Sequence, residues 1–558
     1  MGREKLVIVG GVAAEASAAA KARRCSEDAE IIMFEKGPDI SYATCGLPYY
    51  LSGIIAKRRR LLVASSDFFR KRFNVDVRTR HEVIRIDRAA QKVEVRDCGT
   101  GALSEENYDR LVLATGSSAI MPPLQGIDLP FVFTLRTLED TDRIYAYLHR
   151  KNPNTAVVVG GGLIGMEVVD NLAHIAIDVS VLEAMPQILT FLDVEMAEVA
   201  RRHIQDKGVS VYVSEKVTAI EERSGKGVVR TDKGRELPAD LVIMAVGIRP
   251  NTKLAEDAGL NIGPSGGVQV NEFMQTSDPC VYAAGDCVES LNLVTGKPCL
   301  VPMGSAANKQ GRAAGANAMG RRVAVKGFMG TVIVKIFDQT VGKTGLSERE
   351  ARAEGFEPLV TYVLAEHHAG YYPGAKDLRI KNVADRATGR ILGAQVVGEE
   401  GVDKRIDVIA TALYNKMRLE DFLQLDLAYA PPYSSARDPI VVAGAVAQNF
   451  YEGDWAPTTP AELHDKIVRG DSLTLVDTRT TRELKKKGII PGAIHIPIDD
   501  LRDRIDELDP HKEIILYCAV GLRSYVGNRI LAMKGFRNVK TLTGGFEQWT
   551  YPTEQYSN

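Results

Sequence analysis

Apolar residues along the chain fall into short blocks bounded by glycine and charge, and two distant blocks repeat one design. KLVIVGG leads into the alanine-rich AAEASAAAKARR and then EIIMFEKG, a pattern that predicts strand, glycine turn, helix and strand. Far downstream, NTAVVVGGGLIGMEVVDNLAHIAIDVSVLEAM predicts the same order, its second strand ending in Glu183. Two copies of a mononucleotide-binding unit imply two nucleotides held by one chain. Between them LVLATGS, residues 111–117, supplies another strand running into a glycine turn, where two nucleotide domains cross over. Beyond residue 326 the pattern changes to mixed strands and helices (VIVKIFDQTVG, ILGAQVVGEE, KRIDVIATALYNKM), which predicts an α+β domain. The helix-poor stretch NFYEGDWAPTTP then precedes a fresh strand–helix alternation from SLTLVDTR, so residues 452–459 are expected to be a linker and 460–558 a separate α/β unit.

At 558 residues the chain exceeds what one hydrophobic core supports. A charged fraction of 25% and a net charge of −2 give no basis for a nucleic-acid partner. The N-terminus lacks the apolar core and cleavage site of a signal peptide, and no apolar run is long enough to span a bilayer, so a soluble, cytoplasmic protein is expected. The seven cysteines are scattered and odd in number, unlike a secreted disulfide framework, and no C-x-x-C pair or Cys/His cluster predicts a metal site.

The strongest chemical signal is Gly160-Gly161-Gly162-Leu163-Ile164-Gly165, a G-x-G-x-x-G match between an apolar strand and a helix. Glycines at those places permit the tight turn and close backbone approach, while the helix N-terminus offers unpaired N–H groups to a pyrophosphate. Glu183 is placed to accept hydrogen bonds from an adenine ribose and would repel a 2'-phosphate, which favours NADH while leaving NADPH open. The first copy is degenerate: Gly10 is kept, but Val12 and Glu15 stand where glycines are expected. Glu35 is placed to bind a second ribose, and Asp286 in TSDPCVYAAGDC follows a strand and Gly285, positioned to face a flavin ribityl chain.

These elements in this order resemble the two-dinucleotide-binding flavoprotein disulfide reductases, over about residues 1–450. The resemblance implies two Rossmann-like domains: an FAD domain from 1–119 and 246–325, and an NAD(P)H domain from 120–245. A dimerisation domain, 326–451, follows. It also implies FAD contacts from Gly10, Val12, Ala13, Glu35, Lys36, Thr44, Val83, Ala114, Thr115, Gly116, Asp286 and Ala306. NAD would meet Gly160, Gly162, Ile164, Gly165, Glu183 and Gly247.

Glutathione-reductase types carry two cysteines a few residues apart where this chain has SYATCGLPYYLSG with Cys45 alone. That segment is similar to the S-F-x-N-C-G-L-P-Y signature of the coenzyme A disulfide reductases, in which the lone cysteine forms a mixed disulfide with coenzyme A. A thiolate ahead of a helix and beside an oxidised flavin would be a nucleophile near neutral pH. The same resemblance implies a coenzyme A site from Ser17, Lys21, Arg24, Ser41, Thr44, Lys71, Asn308 and Arg437. Tyr371 and Tyr429 would reach the reactive sulfur from the partner of a homodimer. Two departures bear on fit: Thr44 replaces the usual Asn, and Ala14-Glu15 replaces a glycine pair near the FAD pyrophosphate, where Glu15 is unfavourable unless it points away or binds a coenzyme A group.

The last hundred residues resemble a rhodanese domain. Cys518 ends a strand, and CAVGLRS opens a loop into a helix, so successive backbone N–H groups can nest an anion around its sulfur. Arg523 closes a six-residue loop, one shorter than in the related phosphatases, which favours sulfane sulfur; Asp477 and Arg479 read as structural. Joined, the halves are similar to fusions of coenzyme A disulfide reductase with rhodanese. The expected activity is NAD(P)H-dependent reduction of coenzyme A persulfides or polysulfides through Cys45, with Cys518 handling sulfane sulfur. Coenzyme A disulfide reduction, NADH oxidase activity, and a flavin-containing sensor or sulfur-trafficking protein remain as alternatives.

Overall fold

A computed structural model describes residues 4–556. The chain divides into two compact units, the first made of residues up to 190, 197–330 and 334–337, the second of 191–196, 331–333 and 338–558.

The first unit is built twice on one plan. A parallel sheet orders the strands Val281–Ala283, Arg110–Leu113, Lys5–Val9, Glu30–Glu35 and Asp76–Thr79. A second parallel sheet orders Ser210–Val213, Asp178–Glu183, Thr155–Val159, Leu241–Met244 and Val132–Thr134. Both central strands are continuous apolar runs, because a parallel strand is covered on both faces: Leu6, Val7 and Ile8 are fully buried, as are Val157 and Val158. Each sheet is accompanied by an antiparallel three-stranded meander, His81–Asn107 in one case and Val217–Pro238 in the other. The crossover between the two halves is a short antiparallel pair, Ser117–Ala119 with Ile248–Pro250.

In the first half the helix Ala14–Cys25 lies against the helix Gly304–Ala318 at near-backbone distance. A Cβ on Gly311 would stand 2.0 Å from the Ala14 carbonyl oxygen, and one on Gly315 2.2 Å from that of Ala18, so only glycine allows this approach.

The second unit holds an antiparallel sheet of Gln339–Gly345, Ile391–Gly398, Asp377–Asp385 and Pro358–Glu366. Lys381, buried within it, meets Asp193 at 2.8 Å and Glu348 at 2.9 Å, and also pairs with Glu195. Its ammonium occupies the centre on which these carboxylates converge, and removing it would strand three buried or half-buried anions. The unit ends in a parallel sheet ordered Ala456–Thr458, Val539–Leu542, Glu513–Tyr517, Leu473–Asp477 and Ile494–His495. Residues 456–458, inside the segment expected to be a linker, are thus an edge strand of this sheet, anchored by Thr458, which is buried.

Candidate functional site

Both glycine loops follow the central strand of their sheet. Gly10 has φ +112° and Gly160 φ +109°, and a Cβ on either would strike backbone: Ala114 O at 2.5 Å in the first case, Ala245 O at 2.3 Å in the second. Glu35 accepts a hydrogen bond from Gly37 N–H at 2.7 Å, and Glu183 accepts from Gly161 and Met185 N–H, both at 2.8 Å. Gly162 precedes the helix Leu163–His174 and has open space where a side chain would project, as does Gly116 with φ +66°. Bare backbone, a following helix and an acid at the next strand end fit a dinucleotide in each half.

The sixth position separates the loops. Gly165 packs so closely that a Cβ would lie 2.0 Å from Gly160 O. At the corresponding place Glu15 turns its carboxylate inward over Gly10 and accepts from Val12 N–H at 3.1 Å. Burial, reinforced by the charges of Glu35 and Asp286, pushes its carboxyl up to about 8. This upward shift favours the neutral acid, the form that would not repel a diphosphate.

The remaining expected FAD residues come from several elements of this half. Asp286 accepts from Arg136 Nη2 at 2.7 Å and Ser117 Oγ at 2.9 Å, and Thr115 Oγ1 donates to Asn251 O at 2.6 Å. Val83, Ala114 and Ala306 are buried, Ala13 and Thr44 are half-buried, and Lys36 is exposed. On the other loop, Ile164 is exposed at the helix start, and Gly247 has φ +121° at the end of a strand crossover.

Cys45 is exposed, in the single turn Thr44–Gly46 that leads into the short helix Leu47–Leu51. Every cysteine among the described residues is a free thiol. Ser41 holds a left-handed backbone conformation, φ 47°, and its carbonyl accepts from Val63 N–H at 2.7 Å, which fixes the turn ahead of Cys45. Ser17, Lys21 and Arg24 share one face of Ala14–Cys25, since residues three and four apart are helix neighbours. Ser17 Oγ donates to Asn308 Oδ1 at 2.5 Å, so two expected coenzyme A residues from distant parts of the chain meet. Lys71 is exposed on the helix Ser66–Phe73.

In the second unit Tyr371 and Tyr429 have their hydroxyls 3.2 Å apart although both side chains are largely exposed, and Arg437 is exposed nearby in sequence. The Cys518 loop leaves the strand Glu513–Tyr517 and enters the helix Leu522–Met533. The sulfur is buried, accepts from Gly521 N–H at 3.0 Å, and lies 3.7 Å from Ser524 Oγ. Asp477 and Arg479 form a fully buried pair at 2.6 Å, and the Arg479 guanidinium stacks 3.8 Å over Phe546.

Three partners were not evident from the sequence. Tyr49 OH donates to Glu167 Oε1 at 3.4 Å, four residues from Cys45. Burial pushes the Glu167 carboxyl up to about 7, and burial with the neighbouring Glu167 charge raises Tyr49 to about 12. Arg136 reaches Asp286 from 150 positions away. Glu483 grips Arg523 with both carboxylate oxygens at 2.7 Å; the T-x-x-E pattern at Thr480–Glu483 is the one sequence signal that could have drawn attention to it.

The chain belongs to the pyridine nucleotide-disulphide oxidoreductases: that family's model matches residues 4–311, its dimerisation domain 331–439, and a rhodanese-like domain 459–551. It is an FAD-dependent oxidoreductase of this family with a rhodanese-like domain. It is similar to the reduced CoADR-RHD of Bacillus anthracis, with TM-score 0.95 and 42% identity over 98% of each chain. It is also similar to an NAD-dependent persulfide reductase from A. fulgidus, with TM-score 0.92 and 39% identity over 98% of this chain and 100% of that one. A relative from Pyrococcus horikoshii, named NAD(P)H coenzyme A polysulfide/persulfide reductase, is 36% identical over 445 residues, 80% of this chain and 98% of the relative. No helix among the described residues is long and apolar enough to cross a membrane.

Proposed function

We propose that this protein uses NADH to reduce coenzyme A persulfides and polysulfides, with Cys45 as its one redox cysteine and Cys518 as a carrier of sulfane sulfur. The observation that carries this reading is an exposed, free Cys45 in a chain that also holds Cys518 in an anion-receiving loop. The names of its relatives support the substrate class.

The Cys45 thiolate attacks the coenzyme A sulfur of a persulfide, forming a mixed disulfide and expelling hydrosulfide. FAD, when bound, relays the electron pair of NADH to sulfur. Two electrons and a proton then return the mixed disulfide to the Cys45 thiolate and free coenzyme A thiol. NADH, a proton and one persulfide thus yield NAD+, coenzyme A thiol and hydrogen sulfide. Gly10, Val12, Ala13, Glu35 and Asp286 hold FAD, while Gly160, Gly162, Gly165 and Glu183 hold NADH in preference to NADPH. Lys21, Arg24 and Lys71 meet the coenzyme A phosphates, with Ser17, Ser41, Asn308 and Arg437 around its chain. The active protein is a homodimer in which the partner subunit's Tyr371 and Tyr429 donate to the departing sulfur, on domains bounded at 119, 245, 325, 451 and 459.

Anaerobic assays with coenzyme A persulfide, coenzyme A disulfide and dioxygen as acceptors test this. The persulfide is expected to give the highest kcat/KM, and Cys45→Ser to bring NADH-dependent sulfide release to background. Retained release in that variant would overturn the scheme.

A further inference from the structure

The Cys518 loop contains an arginine whose charge is already matched. Arg523 Nη1 and Nη2 donate to Glu483 Oε2 and Oε1, each at 2.7 Å, a fork-to-fork pair of the strongest kind. Glu483 is itself fixed. It stands in the first turn of Thr481–Lys487, and its Oε2 also accepts from Thr480 N–H at 2.9 Å and Thr480 Oγ1 at 2.7 Å. These bonds hold the carboxyl down to about 2. Arg523 also interacts electrostatically with Cys518, and Glu483 takes one N–H from each of its terminal nitrogens.

An oxyanion held in such a loop needs a cation to balance it in addition to backbone N–H groups. A terminal sulfane sulfur carries at most one negative charge and is served by the N–H groups alone, as Gly521 N–H serves the resting sulfur. We propose that Glu483 is a specificity-determining residue: by engaging Arg523 it keeps dianionic oxyanions out of the Cys518 loop and leaves it open to sulfane sulfur. This rests on the reading of Cys518 as a sulfur carrier, and it assigns Glu483 a task beyond capping its helix.

The test uses the full-length holoenzyme and follows Cys518 alkylation by peptide mass spectrometry, with inorganic sulfate as the probe at constant ionic strength. In the unsubstituted protein sulfate should not slow alkylation. Glu483→Gln frees the guanidinium while keeping a side chain that can cap, and sulfate should then slow Cys518 alkylation by roughly tenfold at concentrations that leave the unsubstituted protein unaffected. Glu483→Asp should restore exclusion, and Glu483→Gln combined with Arg523→Gln should abolish protection. Equal sulfate sensitivity in the unsubstituted and Glu483→Gln proteins, or protection surviving in the double variant, would overturn the proposal. A gain of 32 Da on Cys518 after polysulfide treatment is read separately. Its absence would sink the sulfur-carrier role while leaving the oxyanion result to be judged by itself.

Discussion

The two glycine loops start from equivalent strands, turn through equivalent positive-φ glycines and end beside equivalent acids, yet they solve helix packing in opposite ways. In the second loop Gly165 lets the helix settle onto the carbonyl of Gly160. In the first, Glu15 stands in that place, and its side chain folds back over Gly10 to satisfy Val12 N–H. One loop gains closeness by having no side chain; the other buries a carboxyl whose pKa burial raises. A fingerprint glycine is therefore dispensable where a side chain can serve the loop's own backbone, provided its charge is suppressed.

The sharpest way to break this comparison is Gly165→Ala, which forces a methyl to within 2.0 Å of a backbone oxygen. A loss of about 3 kcal/mol, a hundredfold or more in NADH affinity, is expected from the displaced helix. It would be read as the NADH dependence of flavin bleaching in stopped flow, with FAD content unchanged.

Glu15→Gln probes the other loop. Because the folded-state value of about 8 lies above the ordinary carboxyl range, the stability due to Glu15 is complete below about pH 4.5 and is lost as pH rises through 8. The groups facing it add to this: Glu35 and Asp286 are acids, although Asp286 is paired with Arg136. The glutamine variant should lack that pH dependence, exceeding the unsubstituted protein by roughly 2 kcal/mol at pH 9. Thermal unfolding and FAD retention between pH 5 and about 9 would show it, and parallel curves would refute the buried acid.

A smaller change is expected from Glu183→Ala. Removing the acid that closes the second loop should shift the NADH over NADPH preference by about tenfold, measured as a ratio of kcat/KM values.

Much of this was legible in the chain. The strand, glycine loop and helix repeats at residues 5–35 and 155–183 come from short-range pattern, which two parallel sheets express directly. Cys45 and Cys518 stood out because their neighbours are local. What could not be read was side-chain direction set by distant contacts: the inward turn of Glu15, the reach of Arg136 to Asp286, the Tyr49–Glu167 contact, and the grip of Glu483 on Arg523. The edge strand 456–458 was missed because a three-residue strand containing Pro457 carries almost no pattern of its own; it is specified by the partner strand Val539–Leu542.

The glycine seam between Ala14–Cys25 and Gly304–Ala318 has a consequence for biogenesis. The first half opens with the strand Lys5–Val9, but the surface that receives its helix is made hundreds of residues later, as the 291-residue separation of Ser17 and Asn308 records. During synthesis the continuous second half can close while the earlier half still waits for the helix that covers it. Ribosome-stalled chains ending before residue 304 should thus protect Val157 and Val158 from proteolysis ahead of Leu6 and Ile8, which places assembly of the first half last although it is translated first.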